Sequence, residues 1–250
     1  MAITSIYIDA ELQAIPGMKN ISDFLSLNWF RGLPDISATP FAGYYFGTPV
    51  TDISLNSYDN SKPLSFVGTV TNEGGVINVG RDNYAVTDYK SPAGMTIATV
   101  IKKGGSRGAN TYLISDLSGT GNSLIGFGLA ISTSGNITLA VQNAGQTGPT
   151  YANANFYSEA VVGELVGVVA TVKNGSLYVA TYDPTTQTMT SGTASPPGTY
   201  SPGVNNIRIG CKVDNNTSGL TTEVKSALLM AGELAASEQV SVMQFLLAMN

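Results

Sequence analysis

The chain has 250 residues, of which 43% are apolar, so it can bury a substantial core in one large β-domain or in two smaller ones. Only 12% of the residues are charged, the net charge is −5, and no basic cluster is denser than Lys102, Lys103 and Arg107, which disfavours a nucleic-acid partner. The absence of histidine excludes Ser-His-Asp and Cys-His catalysis and histidine-ligated metals, and the lone Cys211 excludes an intrachain disulfide.

The first residues, MAITSIYIDAEL, have neither a basic stretch nor an apolar stretch of the kind found in signal peptides. No apolar run in the sequence approaches the roughly 18 residues of a membrane span. We therefore expect synthesis in a cytoplasm and no membrane partner.

The first ~60 residues differ in pattern from the rest of the chain. Ile8 and Leu12 are spaced as on one face of a first short helix, and Phe24 and Trp29 lie in a second short helical segment. Each piece is too short to be stable alone, so it must pack on the main domain or on another chain. We therefore predict that residues 1–60 form a partly helical anchoring or oligomerisation segment.

The stretch TPFAGYYFGTPV, residues 39–50, follows these segments and is predicted to be irregular or only briefly extended. Its tyrosines, Tyr44 and Tyr45, could form a platform for sugars. The favoured interpretation is a subunit contact or the cover of a strand edge.

From Pro63 onward the apolar residues alternate with a period of two, and turn signals separate short strands. The segment 95–101 is apolar on both faces, as expected of a central strand. In 123–132, Gly126, Gly128 and Ala130 keep one face small and allow another element to approach closely. The strands predicted before residue 143 are 64–70, 76–80, 83–89, 95–101, 111–116, 123–132 and 137–142.

Residues 143–160 are predicted to be a long loop and the best candidate for a carbohydrate-binding site. Aromatic rings pack against the C–H faces of sugars, and amides form paired hydrogen bonds with their hydroxyls. The alternative is a surface connection whose aromatic residues pack back onto the domain. The candidate ligand-binding residues are Gln146, Tyr151, Asn153, Asn155, Phe156 and Tyr157.

The last third of the chain begins with a predicted hairpin, 165–182, that turns at Asn174-Gly175. After a loop at 183–204, strands are predicted at 206–213, where Cys211 is a buried apolar residue, and at 223–230. A terminal helix is predicted to begin with Ser237 as its N-cap. Its predicted inner stripe is Val240, Met243 and Leu247.

Four segments carry a resemblance to a known family: SLNSYDNSKPLSFVGTVTNEGGVINVGRDNYAVTDYKSPAGMTIATVIK, LVGVVATVKNGSLYVATYDPTTQ, NNIRIGCKV and EVKSALLMAGELAASEQVSVMQFL. On these segments, residues 61–250 resemble the concanavalin A-like lectin/glucanase superfamily in its laminin-G-like or pentraxin-like branch. The resemblance implies an all-β fold, an antiparallel two-sheet jelly-roll sandwich with a short C-terminal helix.

The sequence departs from the hydrolytic members of that superfamily, which carry a Glu-x-Asp-x-x-Glu strand with two carboxylates about 5 Å apart. Glu159 and Glu164, like Glu233 and Glu238, are five residues apart, which does not place two carboxylates on one face of a strand. We therefore expect no enzyme activity. Calcium-binding members use oxygen ligands from loops, and turn formation is favoured over calcium binding for the matching residues. These residues are Asp116, Asp214, Asn215 and Asn216.

Low charge, a single cysteine, no histidine, no export signal and a non-catalytic sandwich together suit a structural protein of a tailed bacteriophage, in which lectin-like domains of this resemblance occur. We expect a virion protein of the tail fibre, baseplate or capsid-decoration type, without metal or cofactor, that adheres to host-surface glycans. Its other partners would be virion proteins and copies of itself in a homo-oligomer such as a trimer. The alternative is a free-standing domain that binds or hydrolyses glycans.

Overall fold

The computed structural model describes residues 29–48, 50–143, 145–214 and 219–249, and it confirms the predicted all-β fold. Two antiparallel sheets face each other, and one helix, α1 (Ala236–Ala248), lies near the C-terminus. Short 3₁₀ turns occupy Trp29–Gly32 and Gly121–Ser123. No helix in the described ranges is both long enough and apolar enough to cross a bilayer.

Sheet A has the strand order β13-β12-β11-β6-β15-β4-β3, and β1 also pairs with β15. Sheet B has the order β10-β9-β8-β7-β14-β5-β2. The strands of sheet A are β1 (Thr39–Tyr45), β3 (Thr71–Glu73), β4 (Val76–Gly80), β6 (Met95–Lys102), β11 (Leu165–Lys173), β12 (Ser176–Asp183), β13 (Thr188–Ala194) and β15 (Thr221–Ala231). Those of sheet B are β2 (Ser65–Val67), β5 (Tyr84–Val86), β7 (Thr111–Ser115), β8 (Gly126–Ile131), β9 (Ile137–Gln142), β10 (Thr150–Ala154) and β14 (Arg208–Ile209).

The central strand β6 is buried on both faces, as its sequence predicts. Ile97 and Ile101 belong to the main core, whereas Ala98 and Val100 belong to the second core, which includes residues of α1. The alternation of a strand sends successive side chains to opposite faces, so a strand with neighbours on both faces must be apolar throughout. Sheet A is therefore the middle layer of the molecule.

Helix α1 starts earlier than the sequence predicts. Its N-cap is Ala235, and the carboxylate of Glu238 accepts a hydrogen bond from the Ala235 backbone N–H at 2.7 Å, so Ser237 is not the cap. The earlier start also changes the buried stripe. Of the predicted residues, Met243 is buried but Val240 and Leu247 are only half-buried. The buried stripe is Gln239, Val242, Met243 and Leu246.

The described part of the segment 1–60 contributes a strand to the sandwich, because β1 pairs with β15. Tyr44 and Tyr45 are 0% and 3% exposed, so these side chains lie in the interior of the chain and are not available as the predicted contact surface. Trp29 is half-buried and stacks on Phe245 of α1, with ring centroids 6.4 Å apart. Ile8, Leu12 and Phe24 lie outside the described residues, so the anchoring role stays a prediction.

Two of the predicted loops each contain a strand. The region 143–160 includes β10, and the region 183–204 includes β13. These edge strands of opposite sheets approach closely at Gly192, where a Cβ atom would lie 1.8 Å from the backbone oxygen of Asn153. Only glycine fits this contact, and the sandwich is consequently narrow along this side.

The remaining strands largely follow the prediction. The hairpin of β11 and β12 turns at Asn174-Gly175, as predicted, because Lys173 pairs with Ser176 and Gly175 has a φ of 70°. The strand predicted at 206–213 is reduced to the two residues of β14. Cys211 follows β14 and is fully buried, as predicted.

Candidate functional site

The six candidate ligand-binding residues do not form one site. Asn155, Phe156 and Tyr157 follow β10 at one end of the sandwich, whereas Gln146 precedes β10 at the other end. The five residues of β10 separate these two positions by roughly 17 Å, given about 3.4 Å per residue. Tyr151 and Asn153 lie on β10 with exposed side chains, while the alternating Ala152 and Ala154 point into the core.

The residues after β10 line a groove of about 320 Å³, which we call the Lys103 groove. Three connections form it: the loop after β6, the turn between β8 and β9, and the connection from β10 to β11. Most of its side chains carry hydroxyl, amide or amino groups, and its three glycines contribute no side chain, which leaves the groove open. The lining residues are Lys103, Gly104, Gly105, Ser106, Ser134, Gly135, Asn136, Asn155, Phe156, Tyr157, Ser158 and Val162.

The loops of the Lys103 groove are joined mainly through their backbones. Lys103 donates its N–H to the carbonyl oxygen of Glu164 at 2.7 Å and accepts from the N–H of Gly163 at 2.9 Å. The N–H of Arg107 donates to the carbonyl oxygen of Thr133 at 3.0 Å. These bonds hold the loops in place without using the side chains that line the groove.

Lys103 is the one charged residue among those that line this groove. Its ammonium donates a hydrogen bond to the carbonyl oxygen of Ala160 at 2.6 Å and lies 5.2 Å from the ring centre of Phe156. A cation over an aromatic face is attracted by the ring, so the lysine is held in a fixed position. It retains further N–H donors, since an ammonium group has three.

The aromatic residues of the groove differ from the prediction because their rings are largely buried. Phe156 is 9% exposed and Tyr157 is 6% exposed. The hydroxyl of Tyr157 donates to Oε1 of Glu164 at 2.8 Å, and burial together with this bond raises the pKa of Tyr157. Their rings therefore offer little area for stacking on a sugar, and they serve mainly to support the groove.

At the opposite end of the sandwich, Gln146 borders a depression of about 430 Å³, with Thr150, Pro197 and Gly198 among its other lining residues. The Gln146 amide is used inside the chain. Its nitrogen donates to the carbonyl oxygen of Pro197 at 2.8 Å, and its oxygen accepts from the backbone N–H of Asn143 at 2.8 Å. The side chain therefore fixes a loop in the structure.

Asp116, one of the residues weighed as a calcium ligand, is fully buried and accepts three hydrogen bonds within the chain. The donors are the Ser91 hydroxyl at 2.6 Å, the Phe127 N–H at 2.7 Å and the Gly203 N–H at 2.8 Å. Its oxygens thus join two loops to strand β8, in agreement with the favoured structural role. Desolvation raises the pKa of Asp116, which these donors partly offset.

Other acidic candidates also have partners inside the chain. Asp214 pairs with Lys212 at 3.2 Å, while Asn215 and Asn216 lie outside the described residues. Glu233 pairs with Lys173 at 2.5 Å, and Glu238 accepts from the Ser37 hydroxyl at 2.6 Å. Within the described ranges no three Cys, Asp or Glu residues are grouped as a metal site would require.

No protein-family model and no curated protein matches the sequence. The fold is similar to solved structures. A structure of botulinum neurotoxin type C, whose cell entry is dependent upon interaction with two ganglioside molecules, matches with a TM-score of 0.62 at 12% identity over 83% of this chain and 51% of that one. This chain spans about half the length of the neurotoxin structures that it matches.

Two further matches are an arabinanase domain and a sialidase. Domain 4 of AbnA, a GH43 extracellular arabinanase from Geobacillus stearothermophilus, in complex with arabinotriose, has a TM-score of 0.56 at 14% identity over 83% of this chain and 99% of that domain. Trypanosoma rangeli sialidase has a TM-score of 0.54 at 14% identity over 86% of this chain and 33% of the sialidase. At such low identity the similarity is evidence for a shared fold alone.

Proposed function

We propose that this protein binds glycans without turning them over, and that the Lys103 groove is the binding site. The observation that carries the proposal is the composition of the groove. Hydroxyls, amides and one fixed ammonium converge on a depression with glycine walls, at the end of a sandwich where loops are held by backbone bonds. Such an array matches the many hydroxyls of a sugar.

The comparisons support this proposal. The neurotoxin structure is described with gangliosides and the arabinanase domain with arabinotriose, so jelly-roll sandwiches of this shape occur in proteins that bind carbohydrates. Fold alone does not set function, so the argument depends on the groove.

A sugar in the groove would meet three kinds of contact. The Asn155 amide and the serine hydroxyls would donate to and accept from sugar hydroxyls, Lys103 would donate to an oxygen, and the exposed Val162 would pack against C–H groups. Single contacts of this kind are weak. Several copies of the protein on one particle would convert weak binding into firm attachment.

A glycan array with the purified chain tests the proposal, followed by titration of each hit against two matched variants. Asn155→Ala removes an exposed amide from the groove, whereas Asn153→Ala removes an exposed amide two residues away that does not line it. Losing one or two hydrogen bonds should weaken binding about 3- to 10-fold for Asn155→Ala and leave Asn153→Ala unchanged. Equal effects of the two variants, or no bound glycan at all, would refute the site.

The alternative is a glycan-hydrolysing domain, which the matches to a sialidase and to an arabinanase domain favour. The partners described above for Glu164, Glu233 and Glu238 support the non-enzymatic function instead. A reducing-sugar assay on every glycan that the protein binds separates the two. Turnover of any of them would overturn the non-enzymatic proposal.

We propose further that the protein is a structural component of a tailed-bacteriophage virion, in a tail fibre, baseplate or capsid decoration, where it forms a homo-oligomer. The low charge and the lack of histidine support this assignment. Mass spectrometry of purified particles and light scattering of the isolated protein test it. A strict monomer that is absent from particles would contradict it.

A further inference from the structure

A second depression, of about 230 Å³, adjoins the Lys103 groove. We call it the Arg107 depression. The two share Lys103, Gly104, Gly105 and Val162, so a ligand of more than one sugar ring in the groove would extend over the glycines into it. The remaining lining residues are Asn78, Lys102, Arg107, Gly163, Thr221, Thr222 and Glu223.

The Arg107 depression carries positive charge in an acidic protein. Three cations, Lys102, Lys103 and Arg107, line it together with one carboxylate, Glu223, which leaves a local charge of +2 in a chain of net charge −5. Glu223 pairs with Lys102 at 2.5 Å. Among the described residues, no carboxylate lies within 4.0 Å of Lys103 or Arg107.

Arg107 is held in place although its charge is not neutralised. Its Nη1 atom donates to the Thr111 hydroxyl at 3.1 Å and to the carbonyl oxygen of Thr221 at 2.7 Å, which links the two sheets. Its Nε atom is buried and has no hydrogen-bond partner in the described chain. Gly104 is needed for this arrangement, because a Cβ there would lie 2.4 Å from the guanidinium. Partial burial lowers the pKa of Arg107, as expected of a cation without a counter-ion.

The loop between the two depressions offers further donors. Lys103 and Arg107 use their backbone N–H groups in the bonds described above, whereas no hydrogen bond within the described ranges uses the N–H of Gly104, Gly105 or Ser106. Backbone N–H groups and guanidinium groups form their strongest hydrogen bonds with oxyanions.

We propose that the ligand of the Lys103 groove is an acidic glycan, whose carboxylate or sulfate lies in the Arg107 depression between Lys103 and Arg107. This inference rests on the proposed glycan-binding function and names its ligand class. The anion supplies the counter-charge that the chain itself does not provide for these two cations. The neutral part of the glycan occupies the polar groove beside it.

The test is an array of matched oligosaccharides that share one backbone and carry a uronic acid, a sialic acid, a sulfate or no acid. Acidic members should bind at least about 10-fold more tightly than the neutral member, and the difference should shrink as salt is raised. Lys103→Gln should abolish most of that difference. Lys90→Gln, which removes the same charge from an exposed residue at the other end of the sandwich, should retain it.

Arg107→Gln should act like Lys103→Gln, and thermal melting identifies any loss of fold caused by its lost link between the sheets. Equal binding of neutral and acidic members would overturn the acidic-glycan inference and leave the proposed function intact. If no glycan binds at all, both the proposed glycan-binding function and the acidic-glycan inference are wrong. Equally tight binding of a single-stranded oligonucleotide, with the same sensitivity to Lys103→Gln, would show that the depression recognises anions in general and would overturn the assignment to sugars.

Discussion

The close approach of β10 and β13 yields a quantitative prediction for Gly192→Ala. The new Cβ would lie 1.8 Å from the Asn153 carbonyl oxygen, whereas real Cβ contacts below 3.0 Å essentially do not occur, so one strand must move by about 1.2 Å. A Cβ atom is fixed to its own backbone and the Asn153 oxygen is a backbone atom, so no side-chain rotation can relieve the contact. Each strand is also held by its pairing with a neighbour, β10 with β9 and β13 with β12. Overpacking of this kind typically costs about 1–3 kcal/mol of unfolding free energy.

Urea unfolding followed by tryptophan fluorescence and far-UV circular dichroism measures this cost. For a domain of this size, about 2 kcal/mol also corresponds to a fall in melting temperature of roughly 4–8 °C. The control is Gly108→Ala, because nothing lies within 4 Å of a Cβ at Gly108. The control should be neutral or slightly stabilising. If both variants unfold at the same urea concentration as the unmodified chain, the described contact between β10 and β13 is wrong.

Two further predictions concern single groups. Burial raises the pKa of Cys211 to about 11, so its thiol should fail to react with a disulfide reagent at pH 8 until the protein is unfolded in urea, and rapid reaction of the folded protein would contradict its burial. The hydrogen bonds from Ser37 and Ala235 lower the pKa of Glu238 below that of the unfolded chain. Its stabilisation should therefore be fully present above the unfolded pKa of about 4.3 and be lost as the pH falls through the folded value. The unmodified chain should have a higher unfolding free energy than Glu238→Gln at pH 7, and this difference should shrink at pH 3. A difference that stayed constant with pH would refute the assigned cap.

The elements that the sequence predicts well are those in which burial follows a clear pattern. Strand β6 is apolar throughout, and the hairpin of β11 and β12 has an Asn-Gly turn, so each could be located from local sequence alone. Strands β10 and β13 could not, because both are edge strands with many polar residues. Each pairs with the strand just before it in the chain, β9 or β12, but its own residues lack the apolar alternation that would mark it as a strand.

The candidate site illustrates the same limit. The composition of residues 143–160 indicated binding chemistry, and Asn155 does line the groove. The sequence could not show that β10 would carry Gln146 to the other end of the sandwich, or that Phe156 and Tyr157 would face inward. Lys103 and Arg107 belong to the only dense basic cluster in the sequence. That cluster is too small to indicate a nucleic-acid partner, and its place beside Asn155 depends on the pairing of β6 with β11.

The two ends of the sandwich differ in how freely their loops can change during evolution. At one end a single side chain, Asp116, joins the loops that contain Ser91 and Gly203 to strand β8 at Phe127, so a substitution there would release all three together. At the end with the Lys103 groove, backbone bonds join Lys103 to Gly163 and Glu164 and Arg107 to Thr133, and these bonds remain whatever side chain the loop carries. Related proteins could therefore exchange residues around the groove and acquire new ligand preferences while the opposite end keeps the sandwich intact.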